Sequence, residues 1–323
     1  MKTAIYKGKS KTIYTTEDTK TLIAEFNDSI TAFNSMKKDS IPDKGSINRD
    51  ISFILFNYLS KHAINTHLIN KEDKSKLKVL KLDIIPIEVV IRNITAGSIC
   101  KRYNINEGME LKPTIIEYFL KNDELNDPLI TDSIIHSLNL VKNKEDLTII
   151  KEISTRTNEI LTKLFNSINL KLVDLKLEFG YDLENKIVLA DELSPDNMRL
   201  WDTKTNKPMD KDIFRNDLGN IIEAYNEVLN RLKTIKEPEI KTNNYKAILH
   251  IKTRKNVLDP QGVAIQNALK DLGYDEIENI KTGKYIEIEL NTKSQTEAWS
   301  IIDKACKELL ANPVIEDYTI KVL

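Results

Sequence analysis

The run Leu172-Val173-Asp174-Leu175-Lys176-Leu177-Glu178-Phe179-Gly180 places an acid, a lysine and a second acid at every other position. Successive strand side chains point to opposite faces. Val173, Leu175, Leu177 and Phe179 would therefore face a core, with Asp174, Lys176 and Glu178 in a row on the other side. The next apolar run, Ile187 to Ala190, ends in Asp191-Glu192. A two-residue turn at Glu184-Asn185 sets Glu178 opposite Asp191, with Cβ atoms roughly 5 Å apart. Like charges at that distance repel unless a cation lies between them. Mg²⁺ suits, because it takes one or two carboxylates and fills its octahedron with water and phosphate oxygens. Lys176 is then placed for the same phosphates, or for an acyl group beside the metal. The alternative is an edge hairpin whose alternating charges only solvate it, and a register slip of one residue would undo the pairing.

Three further segments carry groups suited to anions. Ser194-Pro195-Asp196-Asn197-Met198-Arg199-Leu200-Trp201-Asp202 is turn-rich and presents an Arg whose planar fork matches a phosphate. Tyr6-Lys7-Gly8-Lys9-Ser10-Lys11 sets a glycine among three lysines. That is either a tight turn able to close over nucleotide phosphates or a solvated basic hairpin. It lacks the G-x-x-x-x-G-K-[ST] spacing, and no G-x-G-x-x-G occurs in the chain. Arg92-Asn93-Ile94-Thr95-Ala96-Gly97-Ser98 ends a buried-type strand with donors for an anion, or is a plain strand end capped by Gly and Ser.

The elements that must position these groups follow from periodicity. Short alternating runs over 1–35 predict small hairpins of a twisted sheet. Ile51, Ile54, Leu55, Tyr58 and Leu59 form a helical stripe over 48–62, and Lys81–Asn93 reads as strand. A helix is expected over about 145–166, then a hairpin over 169–192. A second helix is expected over about 212–233, with Leu218, Ile221, Ile222, Tyr225, Leu229 and Leu232 on one face. The charged, Pro-containing stretch 236–243 is the linker candidate. Beyond it the pattern predicts strand 245–253, helix 260–272 and strands near 276–282 and 285–291. Helix 294–310 and strand 315–323 complete the order β-α-β-β-α-β, the ferredoxin-like plan.

With 48 Lys+Arg against 49 Asp+Glu in 323 residues, no global field favours nucleic acid or an anionic membrane. No apolar run approaches the ~20 residues of a membrane span. The start carries no apolar signal core, so the cytosol is the expected location. Cys100 and Cys306 stand far apart and His62, His67, His136 and His250 are scattered, which argues against a disulfide framework or a structural zinc site.

Taken in order and spacing, these segments resemble the SAICAR synthetase (phosphoribosylaminoimidazole-succinocarboxamide synthase) family across about residues 1–235. The matches include Tyr6-Lys7-Gly8-Lys9, Thr31-Ala32-Phe33-Asn34, Lys44-Gly45, Pro86-Ile87-Glu88-Val89-Val90, Arg92-Asn93 and Ala96-Gly97-Ser98. Lys176-Leu177-Glu178-Phe179-Gly180, Asp191-Glu192, Ser194-Pro195-Asp196 and Arg199-Leu200-Trp201-Asp202 continue them. The resemblance implies an α+β, two-lobed, ATP-grasp-like fold, with an ATP lobe over about 1–85 and a second lobe over about 86–235. It implies a ligase that joins the carboxylate of CAIR to the amine of L-aspartate, using MgATP and releasing ADP and phosphate. By that likeness Lys9, Ser10, Lys11 and Lys121 contact ATP, and Asp127, Glu178 and Asp191 hold Mg²⁺. Arg92, Ser98 and Arg199 take the CAIR phosphate and ribose. Asp174, Lys176, Lys211 and Arg215 neighbour its imidazole, its carboxylate or the aspartate, and Lys176, Glu178 and Asp191 carry the catalysis. Ser10 where Ala is usual, Leu175 where Phe is common and Ser35 where Gly is usual leave the charged set intact. An MgATP phosphotransferase on related lobes and an inactive nucleotide-binding scaffold are the alternatives.

The tail resembles another family, PurS, the small subunit of FGAM synthetase. Val257-Leu258-Asp259-Pro260-Gln261-Gly262, Gly283-Lys284 and Cys306-Lys307-Glu308-Leu309-Leu310-Ala311-Asn312-Pro313 carry the match. It implies that 244–323 is a non-catalytic module that dimerises and bridges synthetase and glutaminase subunits, with Cys306 in its core. A homo-oligomer is expected. The FGAM synthetase large subunit and the glutaminase are further expected partners; nucleic acid and membrane are not.

Overall fold

Antiparallel hairpins open the chain. In the computed structural model, which describes residues 3–32, 37–235, 243–254, 256–292 and 295–323, β1 (Ala4–Lys7), β2 (Lys11–Thr15) and β3 (Thr21–Phe26) lead into a short ribbon, β4 (Ser29–Ala32) with β5 (Lys37–Ser40). Helix α1 (Lys44–Lys61) follows, then β6 (Leu68–Lys71) and β7 (Lys76–Leu80). The five-stranded sheet runs β1-β2-β3-β7-β6. Ile47, Ile51, Leu55, Phe56 and Leu59 of α1 are buried, as a three-and-four spacing requires. Gly45 lets the first turn of α1 meet β3, since a Cβ there would lie 2.7 Å from the Phe26 carbonyl oxygen.

The second sheet is built on β8 (Asp83–Ile94), followed by α2 (Ser98–Tyr103), β9 (Glu110–Leu120), β10 (Leu129–Ile130), α3 (Asp132–Ser137) and α4 (Asp146–Ser167). Then come β11 (Leu170–Tyr181), β12 (Ile187–Ala190), β13 (Met198–Asp202), α5 (Asp212–Arg215) and α6 (Ile221–Lys233). Its order is β10-β9-β8-β11-β12, with β13 also paired to β11. Ile150, Leu161, Leu164 and Phe165 of α4 join the apolar face of β11 in the main core. The expected helix over 212–233 is instead two helices. Asp217 (φ 53°) and Gly219 (φ 131°) break it, and Asn220 caps α6 by accepting from Ile222 N at 3.1 Å. Leu218, expected on the buried face, is 57% exposed between the two.

The chain divides into two units, Met1–Ile235 and Lys236–Leu323. Residues 236–242 of the linker candidate, and Phe33 and Asn34 of the N-terminal match, lie outside the described residues. The second unit comprises β14 (Asn243–Thr253), α7 (Pro260–Asp271), β15 (Gly283–Thr292), α8 (Gln295–Ala305) and β16 (Glu316–Val322), with strands ordered β15-β14-β16. Ala247, Leu249 and Ile251 pack with Ile302, Cys306 and Ala311, so Cys306 is a core residue.

The expected strand 276–282 does not form, and the observed order is β-α-β-α-β. Side chains take its backbone groups instead. Gln266 Nε2 donates to the carbonyls of Ile277 (3.3 Å) and Glu278 (2.6 Å), and Thr282 N donates to Asp259 Oδ2 at 2.6 Å. Backbone satisfied by side chains has no need of a ladder.

Candidate active site

Strand β11 behaves as its alternation demands. Val173, Leu175, Leu177 and Phe179 are buried in the core, and Asp174, Lys176 and Glu178 share the opposite face. Glu178 lies opposite Glu88 of β8, and Lys176 bridges the two like charges at 2.6 Å to each. Lys121, just past β9, takes the other oxygen of Glu178. The carboxylate row is thus held together by ammonium groups.

The β11–β12 register differs from the expected one. Glu178 pairs with Ala190, not Asp191. The turn is longer by one residue because Asp182 organises it. Its Oδ1 accepts from Glu184 N and Lys186 N at 2.8 Å each, its own N donates to the Lys186 carbonyl, and Asn185 takes φ 58°. Asp191 still reaches the site, because it leaves the strand in the left-handed region (φ 65°) and pairs with Lys11. Glu178 and Asp191 therefore converge around shared lysines instead of facing each other across the ladder.

The β1–β2 turn supplies that lysine. Gly8 N donates to the Lys11 carbonyl at 2.9 Å, and Ser10 Oγ meets Glu192 Oε2 at 3.3 Å. Burial disfavours the Lys11 ammonium, but Asp191 and Glu192 outweigh it and raise its pKa above 10.5. The same contest, with Glu178 and Asp191 as the nearest charges, raises Lys121 and lifts Lys176 well above 10.5. Asp191 responds in the opposite sense: despite burial, Lys11, Lys176 and Lys121 hold it well below 3.8. Burial pushes Glu88 and Glu192 up, more than their lysine neighbours pull them down. Behind Lys11 the buried His67 is pushed down to about 3, by burial and then by Lys11, and stays neutral.

Lys9, Ser10, Lys11, Lys121, Asp127, Glu178 and Asp191 line one end of a cleft of ≈ 600 Å³. Asp127 (φ 45°) accepts from Asn122 N at 2.9 Å. Among the described residues no three acidic, His or Cys side chains form a ready metal cage. Mg²⁺ needs no such cage. One or two hard carboxylates beside substrate phosphates suffice, and Glu178 and Asp191 on the cleft wall meet that requirement.

The other end of the cleft is lined by Arg92, Asp174, Lys176, Arg199, Lys211 and Arg215. Asp174 Oδ2 accepts from Arg92 Nη1 (3.0 Å) and Arg199 Nη1 (2.7 Å), tying the two guanidiniums into one block. Glu117 holds Arg92 Nε at 2.7 Å, and Asp212 holds Arg199 Nε at 2.7 Å and Arg215 Nη1 at 2.5 Å. Gly97 is required here. Its φ is 66°, and a Cβ would fall 2.4 Å from Arg199 Nη2. Ser98, exposed at the start of α2, accepts from Arg92 Nη2 at 3.1 Å. Burial pushes Lys211 down, against the pull of Asp196.

Sequence reasoning gave no role to several groups the fold brings here. Glu88 is one, and its position two strands from Asp191 was invisible without the register. Lys44, fully buried, is another: Asp196 Oδ2 accepts from Lys44 Nζ at 2.6 Å and Asn48 Nδ2 at 3.0 Å, and Oδ1 accepts from Tyr225 OH at 2.7 Å. Lys44-Gly45 and Ser194-Pro195-Asp196 were visible as motif fragments, but nothing local tied them together.

Comparison with known proteins identifies two families along the chain. The SAICAR synthetase family model matches residues 4–232, and the PurS model, described as phosphoribosylformylglycinamidine (FGAM) synthase, matches 246–323. A phosphoribosylaminoimidazole-succinocarboxamide synthase of Nautilia profundicola is 50% identical over 232 residues, covering 72% of this chain and 99% of the relative. The crystal structure of the synthase from Ehrlichia chaffeensis aligns with a TM-score of 0.70 at 46% identity, over 72% of this chain and 100% of that one. A SAICAR synthetase solved in complex with ADP aligns at 0.68 and 44% identity, over 72% and 99%. The chain belongs to the SAICAR synthetase family, whose mixed α/β fold its first unit adopts, and it continues into a PurS-like C-terminal domain.

Proposed function

We propose that residues 1–235 catalyse the ATP-dependent joining of the CAIR carboxylate to the amine of L-aspartate, giving SAICAR, ADP and phosphate. The observation that carries this reading is one cleft with a lysine–carboxylate end and an arginine end, joined along β11. A free carboxylate is a poor electrophile. Transfer of the γ-phosphoryl group of ATP to it makes an acyl phosphate; the neutral aspartate amine then attacks the acyl carbon and expels phosphate. Lys9, Lys11 and Lys121, with Ser10 in the same turn, are read as the ATP contacts. Lysines paired with carboxylates can exchange them for phosphate oxygens at little electrostatic cost. Glu178 and Asp191, with Asp127 nearby, would hold Mg²⁺, which offsets charge on the transferring group.

Arg92, Ser98 and Arg199 are read as the phosphate and ribose contacts of CAIR. Asp174, Lys176, Lys211 and Arg215 are read as neighbours of its imidazole, its carboxylate or the aspartate. Lys176, which lines the same cleft and pairs with Glu88 and Glu178, is read as the group that steadies the carboxylate as it is phosphorylated. The reading divides the first unit into an ATP lobe over about 1–85 and a second lobe over about 86–235, on an ATP-grasp-like plan.

Residues 244–323, after a linker at 236–243, are read as an assembly module on an open variant of the ferredoxin-like plan that lacks strand 276–282. Its partners would be a second copy and, in FGAM synthetase, the large subunit and the glutaminase. Val263, Ile265 and Leu272 on and beside α7 are 42%, 40% and 73% exposed, which supports a surface for assembly. No helix among the described residues is long and apolar enough to cross a membrane, and the proposed place of action is the cytoplasm.

The test is ADP release from MgATP and CAIR, with and without L-aspartate, in the wild type and in Glu178→Gln. Aspartate-dependent release with succinocarboxamide formed, lost in the variant, is expected. Release independent of aspartate would mean a phosphotransferase, and none at all an inactive scaffold.

A further inference from the structure

Arg102, at the C-terminal end of α2, has no role in the reading above. Its side chain is 28% exposed, yet one Nη2 hydrogen bond goes to Glu117 Oε1, and Glu117 is buried. The other oxygen of Glu117 holds Arg92 Nε at 2.7 Å, so one buried carboxylate is clamped between two guanidiniums. Arg102 Nη1 also donates to Ser98 Oγ at 3.4 Å, the same oxygen that accepts from Arg92 Nη2 at 3.1 Å. The rings of Tyr103 and Phe119 lie 5.5 Å and 5.7 Å from the guanidinium carbon and fix its position.

A hydroxyl has two lone pairs and one proton. With both lone pairs committed to arginines, Ser98 is left as a donor only, the polarity an anion requires. Without Arg102, Glu117 has one guanidinium left. It can then close on Arg92 with both oxygens, a favoured geometry that draws Arg92 away from Ser98.

We propose that Arg102 is a positioning residue for the phosphate end of the cleft: through Glu117 and Ser98 it holds Arg92 and the Ser98 hydroxyl in the arrangement that takes a substrate's phosphate. This rests on the reading of Arg92, Ser98 and Arg199 as phosphate contacts.

The experiment compares binding of CAIR with that of its dephosphorylated nucleoside, by calorimetry, in the wild type, Arg102→Gln, Arg102→Lys and Glu117→Gln. ADP affinity and the urea midpoint are measured alongside. Wild type should prefer the nucleotide. Arg102→Gln should lose about 10–100-fold in CAIR affinity, the scale of a lost charge-assisted hydrogen bond, with nucleoside and ADP binding unchanged. Arg102→Lys, which keeps the charge but not the fork, should fall between, and Glu117→Gln should weaken CAIR in the same selective way. A variant set that keeps the wild-type nucleotide preference overturns the role of Arg102. A wild type with no such preference overturns the phosphate reading beneath it. Should Arg102→Gln fail to fold, the Lys and Glu117→Gln variants decide by the same ratio.

Discussion

The two units treat charge in opposite ways. In the first, Lys44 is fully buried against Asp196, Arg92 against Glu117 and Asp174, and Lys176 against Glu88 and Glu178. In the second, Lys246–Glu287 and Arg254–Asp317 lie on the surface at 45%/44% and 47%/56% side-chain exposure. Its buried polar side chains among the described residues are Asp259 and Thr292, and Asp259 caps α7 by accepting from Gly262 N at 3.0 Å. Buried ion pairs are poor stabilisers, because desolvation cancels much of their attraction. A unit that keeps so many is organised around something other than stability. The first unit spends folding energy on chemistry; the second uses charge for solubility and local structure.

That contrast can be broken at its strongest point with Lys44→Met. It strands Asp196 without its cation and should cost about 3–5 kcal/mol in urea unfolding; a loss under 1 kcal/mol would mean Asp196 is solvated after all. Next comes Glu178→Gln, which should lower aspartate-dependent turnover by about 10²–10³-fold. Its pairs with Lys176 and Lys121 are lost while the like-charge contact with Glu88 is relieved, so its unfolding midpoint should fall by less than that of Lys44→Met. A comparable loss of activity and of stability together would place Glu178 in the scaffold.

Leu249→Ala sharpens the other side. It should destabilise the second unit by about 2–3 kcal/mol through its core while turnover of the ligase is unchanged; lost turnover would couple the units.

The pH dependence tests the buried pair again. Burial raises Asp196, but Lys44 outweighs it and holds the pKa at about 2, against an ordinary 3.8. A depressed carboxylate contributes stability that is present above its unfolded pKa and lost as pH falls through the folded one. Acid unfolding of the wild type should therefore steepen between pH 3.8 and about 2, and Asp196→Asn should flatten that segment. Smallest of all, Lys246→Ala removes an exposed pair and should leave the urea midpoint where it was; a measurable shift would contradict the surface role given to charge in the second unit.

Much of the site could be read directly. A period of two put Asp174, Lys176 and Glu178 on one face, and the strand bears this out because Val173, Leu175, Leu177 and Phe179 between and beside them are all apolar and buried. The register of β12 could not be read, since it hinged on whether Asp182 would cap its own turn. Helix 212–233 failed for a related reason: an apolar stripe says nothing about the left-handed residues Asp217 and Gly219 that interrupt it. Strand 276–282 was lost because Asp259 and Gln266, remote in sequence, claim its backbone groups.

By itself the sequence determined the inventory of charged groups, the faces on which short-period patterns place them, and the order of motifs that marks the family. Only the tertiary structure decided which charge meets which. Lys11 finds Asp191 across 180 positions, Lys44 finds Asp196 across 152 and Arg92 finds Asp174 across 82. Local periodicity orients a side chain relative to its own strand or helix and carries no information about the partner element. The pairing is set by sheet register and by the exclusion of water from the cleft, and both exist only once the chain has closed on itself.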